Sequence, residues 1–475
     1  MIETNIRRLF QQYFGENILE IIPLSAHGSA RKYYRLLGKS CKCLATYNDN
    51  RKENEAFLSY EKQLLNHKIN VPRIYISDLD NNIYLQQDLG DITLYDLTAK
   101  NNYNSFPFDF YRKVITCLPD IQMTGKDFDY TFAYPRKAFD RQSIDWDLQY
   151  FKYYFLKMTH ISFNEQELEK DFNLLADYLL TAKRDFFMYR DFQSRNIMIY
   201  NDEPYFIDFQ GGRQGALQYD IASLLFDAKA NISSDVREEL LEYYIAELTK
   251  HIDVDKIQFG KLFYAFVYVR IMQAMGSYGY RGYFERKSHF LASIPYAVRN
   301  LKWLEENVSL PVDLTELKRV FEKVIEWEAT NARENNNLHT VNNAKDSSKL
   351  TLTIKSFSYK KGYPKDESNG GGFVFDCRAL HNPGRYDEYK HLTGKDKEVI
   401  DFLEKEDGVK CFYDNVFSIV KQSCYEYIRR QFTNLSVNFG CTGGQHRSVY
   451  MAERLAKDIV KLYDLNVVLQ HLEEK

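Results

Sequence analysis

The segment MYRDFQSRNIMIY, residues 188–200, decides the fold of most of this chain, and YFIDFQ follows it at 205–210. Apolar residues flank a polar loop in the first segment, and the second is apolar up to an acid. Together they predict a strand, a loop, a second strand, a tight turn and a third strand. Asp191 and Asn196 share the loop, and Asp208 ends the following hairpin. The pattern therefore places both acids at strand ends.

These three side chains are the set that phosphoryl transfer needs. One carboxylate orients and deprotonates a hydroxyl, while an amide oxygen and a second carboxylate hold Mg²⁺ against the phosphates. Asp191 and Asn196 have the Asp-x-x-x-x-Asn spacing of kinase catalytic loops, and Asp208 stands where a metal-binding Asp belongs. The alternative is that Asp191 is a turn residue and Asn196 an Asx cap. The strand-like flanks and the turn-forming NDEP at 201–204 favour the kinase interpretation.

The same loop, together with QYDIASLL at 218–225, resembles the aminoglycoside phosphotransferase family, which shares the protein-kinase fold. This resemblance implies that Asp191 is the catalytic base, that Asn196 and Asp208 bind Mg²⁺, and that ATP is the phosphoryl donor. Arg195 is a second candidate catalytic residue. It would contact the transferred phosphate or the acceptor, or else pair with a structural acid.

Composition limits the other possibilities. The 475 residues suggest two or three domains, and the formal net charge of -3 gives no whole-chain argument for nucleic acid or membrane binding. Seven cysteines without a Cys-x-x-Cys pair fit a reducing cytosol. No signal peptide or membrane-spanning run is expected, so we predict a cytoplasmic protein.

The N-terminal region predicts a hairpin with a small-residue turn, which in a kinase lies over the nucleotide phosphates. An ordinary hairpin is equally compatible with it. The pattern SARKYYR at 29–35 resembles one subgroup, the anomeric sugar kinases of the N-acetylmuramate/N-acetylglucosamine type. The nucleotide-binding candidates in this hairpin are Gly28, Ser29, Ala30, Arg31 and Lys32.

The next predicted strand, 43–47, lacks the lysine with which kinases usually hold the α- and β-phosphates. The sugar-kinase subgroup also tends to lack it. Arg31 and Lys32 are candidates to replace it, with solvated hairpin charges as the alternative. Helix 53–65 offers Glu53, Glu55 and Glu61 to pair with such a base. The resemblance also implies a hinge whose main chain binds adenine, and its candidate residues are Gln87, Asp88 and Leu89.

The chain from 94 to 307 is predicted to be mostly helical. Asp220 is expected to secure the catalytic loop by accepting backbone N–H bonds, and Asp227 is a weaker candidate for the acceptor cleft. Gly276, Gly279 and Gly282 are expected to break the aromatic-rich helix near 263–283.

After an Asn-rich polar stretch at 331–348, the pattern changes to strands. One of them runs into the glycine-rich loop GCTGGQHRS at 440–448, and a helix follows the loop. A strand, a glycine-rich loop and a helix form an anion site by geometry, because the loop N–H groups and the helix N-terminus point at the ligand. Cys441 and Arg447 have the Cys-x-x-x-x-x-Arg spacing of cysteine phosphatases, although plain phosphate binding is the favoured interpretation. The candidate anion-binding residues are Thr442, Gly443, Gly444, Gln445, His446, Arg447 and Ser448.

This part resembles the RapZ C-terminal domain on four motifs: FSYKKGYP at 357–364, FDCR-x-x-x-NP at 375–383, LTG-x-D at 392–396 and GCTGGQHRS at 440–448. The resemblance implies binding of an amino-sugar phosphate and a part in RNA-based control of amino-sugar synthesis. The P-loop domain usual in that family is replaced here by a kinase.

We therefore expect an α+β, protein-kinase-like bilobal domain followed by a smaller α/β RapZ C-terminal-like domain. The expected boundaries are 1–90 for the first lobe, 91–330 for the second lobe, 331–349 for a linker and 350–475 for the last domain. The expected activity is ATP- and Mg²⁺-dependent phosphorylation of a sugar or amino sugar, with the anomeric hydroxyl as one acceptor. The last domain would bind a phosphosugar or a nucleotide.

Three alternatives remain open. The chain could be a non-catalytic nucleotide or phosphosugar sensor, which the missing strand lysine favours. It could phosphorylate an aminoglycoside, choline or another alcohol. It could be an RNA-linked regulator, although the net charge does not support RNA as a partner. A membrane partner is not expected.

Overall fold

The structure is a computed structural model that describes residues 2–24, 31–100, 106–336, 339–340, 349–364 and 372–473. The chain divides into two compact units, one of residues 1–280 and 293–325 and the other of residues 281–292 and 326–475. No helix in the described ranges is long and apolar enough to cross a membrane. All seven cysteines are free thiols.

The first unit begins with a small lobe of two helices and an antiparallel sheet in the order β1-β2-β3-β5-β4. Its elements are α1 (Ile2–Phe14), β1 (Glu20–Leu24), β2 (Lys32–Leu37), β3 (Lys42–Tyr47), α2 (Arg51–Asn66), β4 (Ile74–Asp78) and β5 (Ile83–Gln86). Helix α1 buries Ile6, Leu9 and Phe10, which share a core cluster with Leu36 and Leu85 of the sheet. The apolar spacing of residues 2–14 predicts an amphipathic helix with these same bounds.

A mostly helical lobe follows, as predicted. Its helices in this unit are α3 (Leu94–Lys100), α4 (Phe108–Met123), α5 (Arg141–Phe151), α6 (Glu165–Leu179), α7 (Leu217–Leu225), α8 (Ser234–Leu248), α9 (Lys256–Gly279) and α11 (Ile294–Asn307). The short helix α10 is Ser288–Leu291, and α12 is Thr315–Asn336. Four short strands carry the catalytic segment: β6 (Phe186–Met188), β7 (Ile197–Tyr200), β8 (Glu203–Phe206) and β9 (Arg213–Gly215).

Of the glycines expected to break this helix, Gly276 lies inside α9, whereas the α-helix ends at Gly279 and Gly282 lies in the turn that follows. The helix runs through Gly276 to Gly279, where a π-helical turn, 280–284, follows. A Cβ at Gly279 would lie 1.8 Å from the carbonyl oxygen of Tyr154, and one at Gly276 would lie 2.8 Å from the carbonyl carbon of Tyr150. Both glycines therefore allow close backbone packing, at Gly276 within the helix and at Gly279 where it ends.

The second unit contains a sheet in the order β10-β14-β11-β13-β12, in which β11, β12, β13 and β14 are parallel and β10 is antiparallel to β14. Its elements are β10 (His339–Thr340), β11 (Thr351–Ser358), β12 (Gly372–Asp376), α13 (Lys397–Glu404), α14 (Asp407–Arg429), β13 (Asn434–Cys441), α15 (Arg447–Ile459) and β14 (Asn466–His471).

The start of the predicted linker needs a correction. Helix α12 continues to Asn336, because the segment ATNARENN at 329–336 still contains the helix formers Ala, Arg and Glu. Residues 337–338 and 341–348 of that stretch lie outside the described residues.

Candidate functional site

The first unit brings Asp191, Asn196 and Asp208 together. The Asn196 amide Nδ2 donates to the main-chain oxygen of Asp191 at 2.9 Å. The main-chain oxygen of Asn196 accepts from the N–H of Ile207 at 3.0 Å, directly before Asp208. A Cβ at Gly211 would lie 3.6 Å from Asp191 Oδ2, so the segment that follows Asp208 also returns to Asp191. Asn196 thus connects the two acids.

The hairpin between β7 and β8 sets this spacing. Asn201 and Asp202 have φ angles of 52° and 60°, which turn residues of these types tolerate. Asp208 itself has φ 66° and ψ 33°, a left-handed conformation that is uncommon for a residue with a side chain. Such strained residues cluster at functional sites.

Arg31 joins the first lobe to this site. It is buried at the start of β2, and its guanidinium is 3.1 Å from Asp208 Oδ1 and 3.1 Å from Glu53 Oε2 of helix α2. Strand β3 offers no lysine at Ala45 or Thr46, as the sequence shows. Arg31 therefore lies between helix α2 and Asp208, the candidate metal-binding carboxylate.

Aromatic stacking fixes helix α2 at this distance. The Phe57 ring lies one turn after Glu53 and stacks on Phe209, with centroids 4.5 Å apart and planes inclined by 9°. The ring of Tyr84 in β5 also stacks on Phe57, with centroids 5.1 Å apart. Because Phe209 is next to Asp208, this packing holds Glu53 and Asp208 on either side of Arg31.

Asp220 secures the catalytic loop, as predicted. Its carboxylate oxygens accept the main-chain N–H groups of Tyr189 at 2.8 Å and Arg190 at 2.9 Å. Burial raises the pKa of Asp220 to about 7, although these two N–H groups oppose that shift. Arg190, at φ 80°, forms a two-bond pair with Asp147 of helix α5 at 2.8 and 2.7 Å. No motif in the sequence pointed to Asp147.

Asp227 lies beside the loop that carries Arg195. Arg195 is exposed and forms no ion pair with any described residue. Asp227 accepts a hydrogen bond from Ser194 Oγ at 2.7 Å and so ties the end of α7 to the catalytic loop. Burial and Asp227 together raise the pKa of Tyr278 to about 12. Burial, with the charge of Arg195 adding to it, lowers the pKa of Lys229.

The other nucleotide-binding candidates have mixed positions. Gly28, Ser29 and Ala30 lie outside the described residues. Lys32 is exposed and stands 5.9 Å from the Tyr47 ring, whereas Arg31 reaches the site. Strand alternation separates these neighbouring cations.

The hinge candidates directly follow β5. The main-chain N–H of Gln87 donates to the main-chain oxygen of Arg73 at 2.8 Å. Asp88 is buried and its carboxylate pairs with Arg35 at 2.8 Å, so this side chain is structural. Leu89 is also buried. Any contact of this segment with a nucleotide base would therefore use its main-chain N–H and C=O groups.

The ligands expected for Mg²⁺ fit this geometry. Because the Asn196 amide nitrogen is used by Asp191, its Oδ1 is the atom left to bind a cation. Asp208 Oδ1 accepts from Arg31 and from Gln210 at 2.7 Å, and no described residue bonds Oδ2. The described ranges contain no group of three or more His, Cys, Asp and Glu side chains suited to a metal. Asn196 Oδ1 and Asp208 Oδ2 are therefore the oxygens left for a cation, and Mg²⁺ is typically bound by one or two carboxylates plus phosphates and water.

The glycine-rich loop of the second unit connects β13 to α15. Among its predicted residues, Thr442 and Arg447 line a cavity of about 510 Å³. Other polar side chains are bonded elsewhere: Gln445 Nε2 to the carbonyl oxygen of Leu392 at 2.7 Å, and His446 Nε2 to that of Tyr389 at 2.8 Å. Ser448 Oγ contacts Cys441 Sγ at 3.1 Å. Gly443 and Gly444 shape the loop, with Gly444 at φ 71°.

Sequence analysis missed several residues of this cavity. Arg378 and Asn382 belong to motifs that carried the RapZ resemblance, and that was the available signal. His381 and Arg385 lie between and beside them and had none. The full lining is Arg378, Ala379, Leu380, His381, Asn382, Arg385, Glu406, Gly408, Val409, Thr442 and Arg447.

Comparison with known proteins agrees with this division of the chain. Residues 20–256 match the family model of the phosphotransferase enzyme family, and residues 350–475 match that of the RapZ C-terminal domain. The predicted fold class is confirmed: a protein-kinase-like phosphotransferase fold in the N-terminal part is followed by a RapZ C-terminal domain with a parallel sheet. The sugar-kinase subgroup is not distinguished by these matches.

The chain is similar to several curated proteins named as nucleotide-binding proteins. One from Thermosipho melanesiensis is 36% identical over 186 residues, covering 37% of this chain and 64% of the relative. One from Staphylococcus carnosus is 34% identical over 159 residues, covering 33% of this chain and 50% of the relative. One from Dinoroseobacter shibae is 41% identical over 116 residues, covering 24% of this chain and 37% of the relative. The chain thus spans less than two thirds of the length of each.

Solved structures with a similar chain trace include a choline kinase from Cryptosporidium parvum, at 12% identity and a TM-score of 0.45, covering 67% of this chain and 99% of that one. Another is the GDP complex of aminoglycoside 2'-phosphotransferase-IIIa, at 14% identity and a TM-score of 0.43, covering 70% of this chain and 99% of that one.

Proposed function

We propose that this protein is an ATP- and Mg²⁺-dependent small-molecule kinase whose acceptor is a sugar or amino sugar hydroxyl. The observation that carries the proposal is the hydrogen-bonded arrangement of Asn196 between Asp191 and Asp208. A base and two metal-binding oxygens at this spacing are what phosphoryl transfer from a nucleotide requires.

In this proposal each side chain has one role. Asp191 orients the acceptor hydroxyl and accepts its proton. Asn196 Oδ1 and Asp208 Oδ2 would hold Mg²⁺, which neutralises charge on the phosphates. Asp220 acts only through the loop that it secures. Arg195, exposed beside the loop, contacts the transferred phosphate or the acceptor.

Arg31 would supply the positive charge that the missing strand lysine gives in other kinases. Its guanidinium presents several donors in a plane and can bridge two carboxylates while still facing a phosphate. The bonds to Glu53 and Asp208 fix it between the first lobe and the metal site. The missing lysine therefore does not favour a sensor over a kinase.

The amino-sugar acceptor and the anomeric position rest on the SARKYYR resemblance and on the RapZ-type second unit. Both point to amino-sugar chemistry, which is an association rather than a mechanism. The polar, arginine-lined cavity of the second unit supports binding of a phosphosugar or a nucleotide there.

The test is ADP release with Mg-ATP against free hexoses, N-acetylhexosamines, N-acetylmuramate, choline and aminoglycosides, with Asp191→Asn as the blank. We expect turnover on a sugar, absent from the blank. Turnover on choline or an aminoglycoside alone would refute the sugar assignment. ATP binding without turnover on any acceptor would refute the kinase and favour the sensor.

A further inference from the structure

The segment that follows helix α7 is fixed against the catalytic loop by Asp227. Its Oδ2 accepts from Ser194 Oγ at 2.7 Å, and its Oδ1 accepts the main-chain N–H of Lys229 at 3.2 Å. Ser194 is followed directly by Arg195, and the same loop begins with Asp191. The two hydrogen bonds of Asp227 therefore bring two cationic residues, Arg195 and Lys229, close to each other beside the candidate base.

Arg195 and Lys229 are exposed cations without an ion-pair partner among the described residues. Partial burial lowers the pKa of the Lys229 ammonium, the positive charge of Arg195 lowers it further, and the charge of Asp227 opposes the shift. Both carboxylate oxygens of Asp227 already accept hydrogen bonds. Because like charges repel, an anion that contacts both cations would remove a repulsion that the free protein contains.

Helix α9 contributes a third cation, Arg270. From residue 268 onward, the partly exposed residues of α9 lie three or four positions apart and so form one face: Gln273, Ala274, Ser277 and Tyr278. Arg270 stands one turn before this face, is 4% exposed, and donates through Nη1 to Gln273 Oε1 at 2.5 Å. Its Nε is buried, and no described residue accepts from it.

The hydroxyl group of Tyr219 connects Arg270 to the catalytic loop. Its Oη accepts from Arg270 Nη1 at 3.3 Å and from Arg190 Nη1 at 2.9 Å, and Arg190 directly precedes Asp191. Arg190 has Asp147 as its carboxylate partner at 2.7 Å, but Arg270 has none within ion-pair distance among the described residues. Because an uncompensated buried charge is costly, Arg270 indicates a bound anion independently of the exposed pair.

Tyr278 relates this face of α9 to the exposed cations. Burial and the charge of Asp227 raise the pKa of Tyr278 to about 12, and the positive charges of Arg195 and Arg270 oppose that shift. Charges from the catalytic loop, the end of α7 and helix α9 therefore all act on one hydroxyl group. We name the region that contains Arg195, Asp227, Lys229, Arg270 and Tyr278 the acceptor cleft.

We propose that the acceptor cleft selects an acceptor that carries an anionic group, a carboxylate or a phosphate, in addition to the hydroxyl that is phosphorylated. This inference rests on the proposed kinase and narrows its acceptor to a negatively charged sugar. The acceptor oxygen attacks the γ-phosphorus of ATP, the new P–O bond forms as the bond to the β,γ-bridging oxygen breaks, and the hydroxyl proton passes to Asp191. The products are ADP and the phosphorylated sugar, which keeps its anionic group.

The charges of the acceptor cleft favour an anionic acceptor and disfavour a cationic one. A carboxylate or a phosphate can accept from the Arg195 guanidinium and the Lys229 ammonium, and such charge-assisted bonds are stronger than neutral ones. When Asp227 and the base Asp191 are counted against the three cations, a net positive charge is left. That charge repels choline and aminoglycosides, which are themselves cations.

The experiment compares acceptors that differ by one anionic group. ADP release by the full chain with saturating Mg-ATP gives kcat/KM for N-acetylglucosamine against N-acetylmuramate and N-acetylglucosamine 6-phosphate, and for glucose against glucuronate and glucose 6-phosphate. We expect kcat/KM to be on the order of 10- to 100-fold higher for the anionic members, as a hydrogen bond to a charged group provides. The carboxylates and the phosphates separate the two sources of the anion. Added salt should reduce the preference, because it screens exposed charges.

Lys229→Met is the test variant, because it removes one exposed charge and keeps a side chain of similar length. It should lower kcat/KM for the anionic acceptors by about tenfold or more, and lower it less for the neutral ones. Lys229→Arg keeps the charge and should keep the preference. Lys250→Met, which changes an exposed lysine paired with Glu247, is the matched control and should also keep the preference.

Calorimetric titration of the same acceptors into the Asp191→Asn protein with Mg-ADP measures binding without turnover. Turnover with equal kcat/KM within every pair, or a preference that Lys229→Met leaves unchanged, would overturn the anionic acceptor and leave the kinase standing. If the parent turns over no acceptor but the anionic members bind more tightly, the kinase is refuted and the charge selectivity of the cleft is retained. Equal or absent binding in a protein without turnover would overturn both.

Discussion

Arg31 Nη1 lies 3.1 Å from Asp208 Oδ1, although 177 positions separate the two residues. The same guanidinium reaches Glu53 Oε2 at 3.1 Å, so one arginine connects the nucleotide hairpin, helix α2 and the candidate metal carboxylate. The carboxylates of Asp208 and Glu53 are partly exposed, at 40% and 35%, while Arg31 is 3% exposed. The guanidinium of Arg31 is thus buried, whereas its two carboxylate partners are partly exposed to solvent.

Arg31→Lys should lower kcat/KM for ATP by about 100-fold, comparable with the loss of one donor to a transition state. A lysine keeps the charge but is a single point donor and cannot bridge two carboxylates in the plane of a guanidinium. Steady-state kinetics at varied ATP would measure the effect. Lys32→Met is the control, because Lys32 is exposed beside Tyr47. Equal effects of the two changes would contradict the role of Arg31.

Asp208→Asn should abolish turnover while the circular dichroism spectrum and Tm stay close to those of the parent. The change removes the charge needed to hold a divalent cation but preserves size. Asp202→Asn, in the exposed turn of the same hairpin, removes an equal charge and should leave activity intact. Parent-like rates in Asp208→Asn would eliminate the metal assignment.

Asp147→Asn should destabilise the protein by about 3 to 5 kcal/mol, because it leaves the buried Arg190 guanidinium without its carboxylate. Asp145→Asn on the same helix breaks the partly exposed pair with Arg141 and should cost less than about 1 kcal/mol. Urea unfolding of both variants measures the difference. Similar midpoints would show that the Arg190 pair contributes little.

Gly279→Ala and Gly260→Ala should change stability in opposite directions, although both lie in α9. At Gly279 a Cβ would meet the Tyr154 carbonyl oxygen, and overpacking of this kind costs about 1 to 3 kcal/mol or more. At Gly260 a Cβ meets nothing within 4 Å, and alanine should stabilise the helix by about 1 kcal/mol. Thermal unfolding of the pair tests both signs. A stable Gly279→Ala protein would refute the close approach of these backbones.

The raised pKa of Asp220 should make the free energy of unfolding depend on pH. Its pKa is raised to about 7 in the folded chain, from an ordinary value near 3.8. Between these values the unfolded chain has released the proton and the folded chain retains it, so the free energy of unfolding falls as pH rises, by about 1.4 kcal/mol per pKa unit.

Asp220→Asn cannot ionise, and its free energy of unfolding should decline less between about pH 4 and pH 7 than that of the parent. Denaturant titrations across that range measure the difference between the two proteins. Parallel curves would mean that Asp220 does not titrate there. The single Asn oxygen replaces one of the two acceptors for Tyr189 and Arg190, so activity should also fall.

Local pattern was sufficient for much of the architecture. Helix α1 and the β7–β8 hairpin follow from apolar spacing and from turn residues such as Asn201 and Asp202, because these preferences act within a few residues. The break expected at Gly276 is wrong, because the close approach between α9 and the backbone of Tyr150 leaves no trace in local sequence.

The sequence by itself determined the identity of the candidate site: the Asp191–Asn196 spacing, Asp208 after the hairpin, the absence of a strand lysine, and the Cys441–Arg447 loop. Tertiary structure alone decided the partners of these residues. It selected Arg31 over the adjacent Lys32, paired Arg190 with Asp147, and added His381 and Arg385 to the cavity of the second unit. The physical reason is that burial and ion pairing depend on which distant segments pack together, whereas spacing and turn chemistry are properties of neighbouring residues.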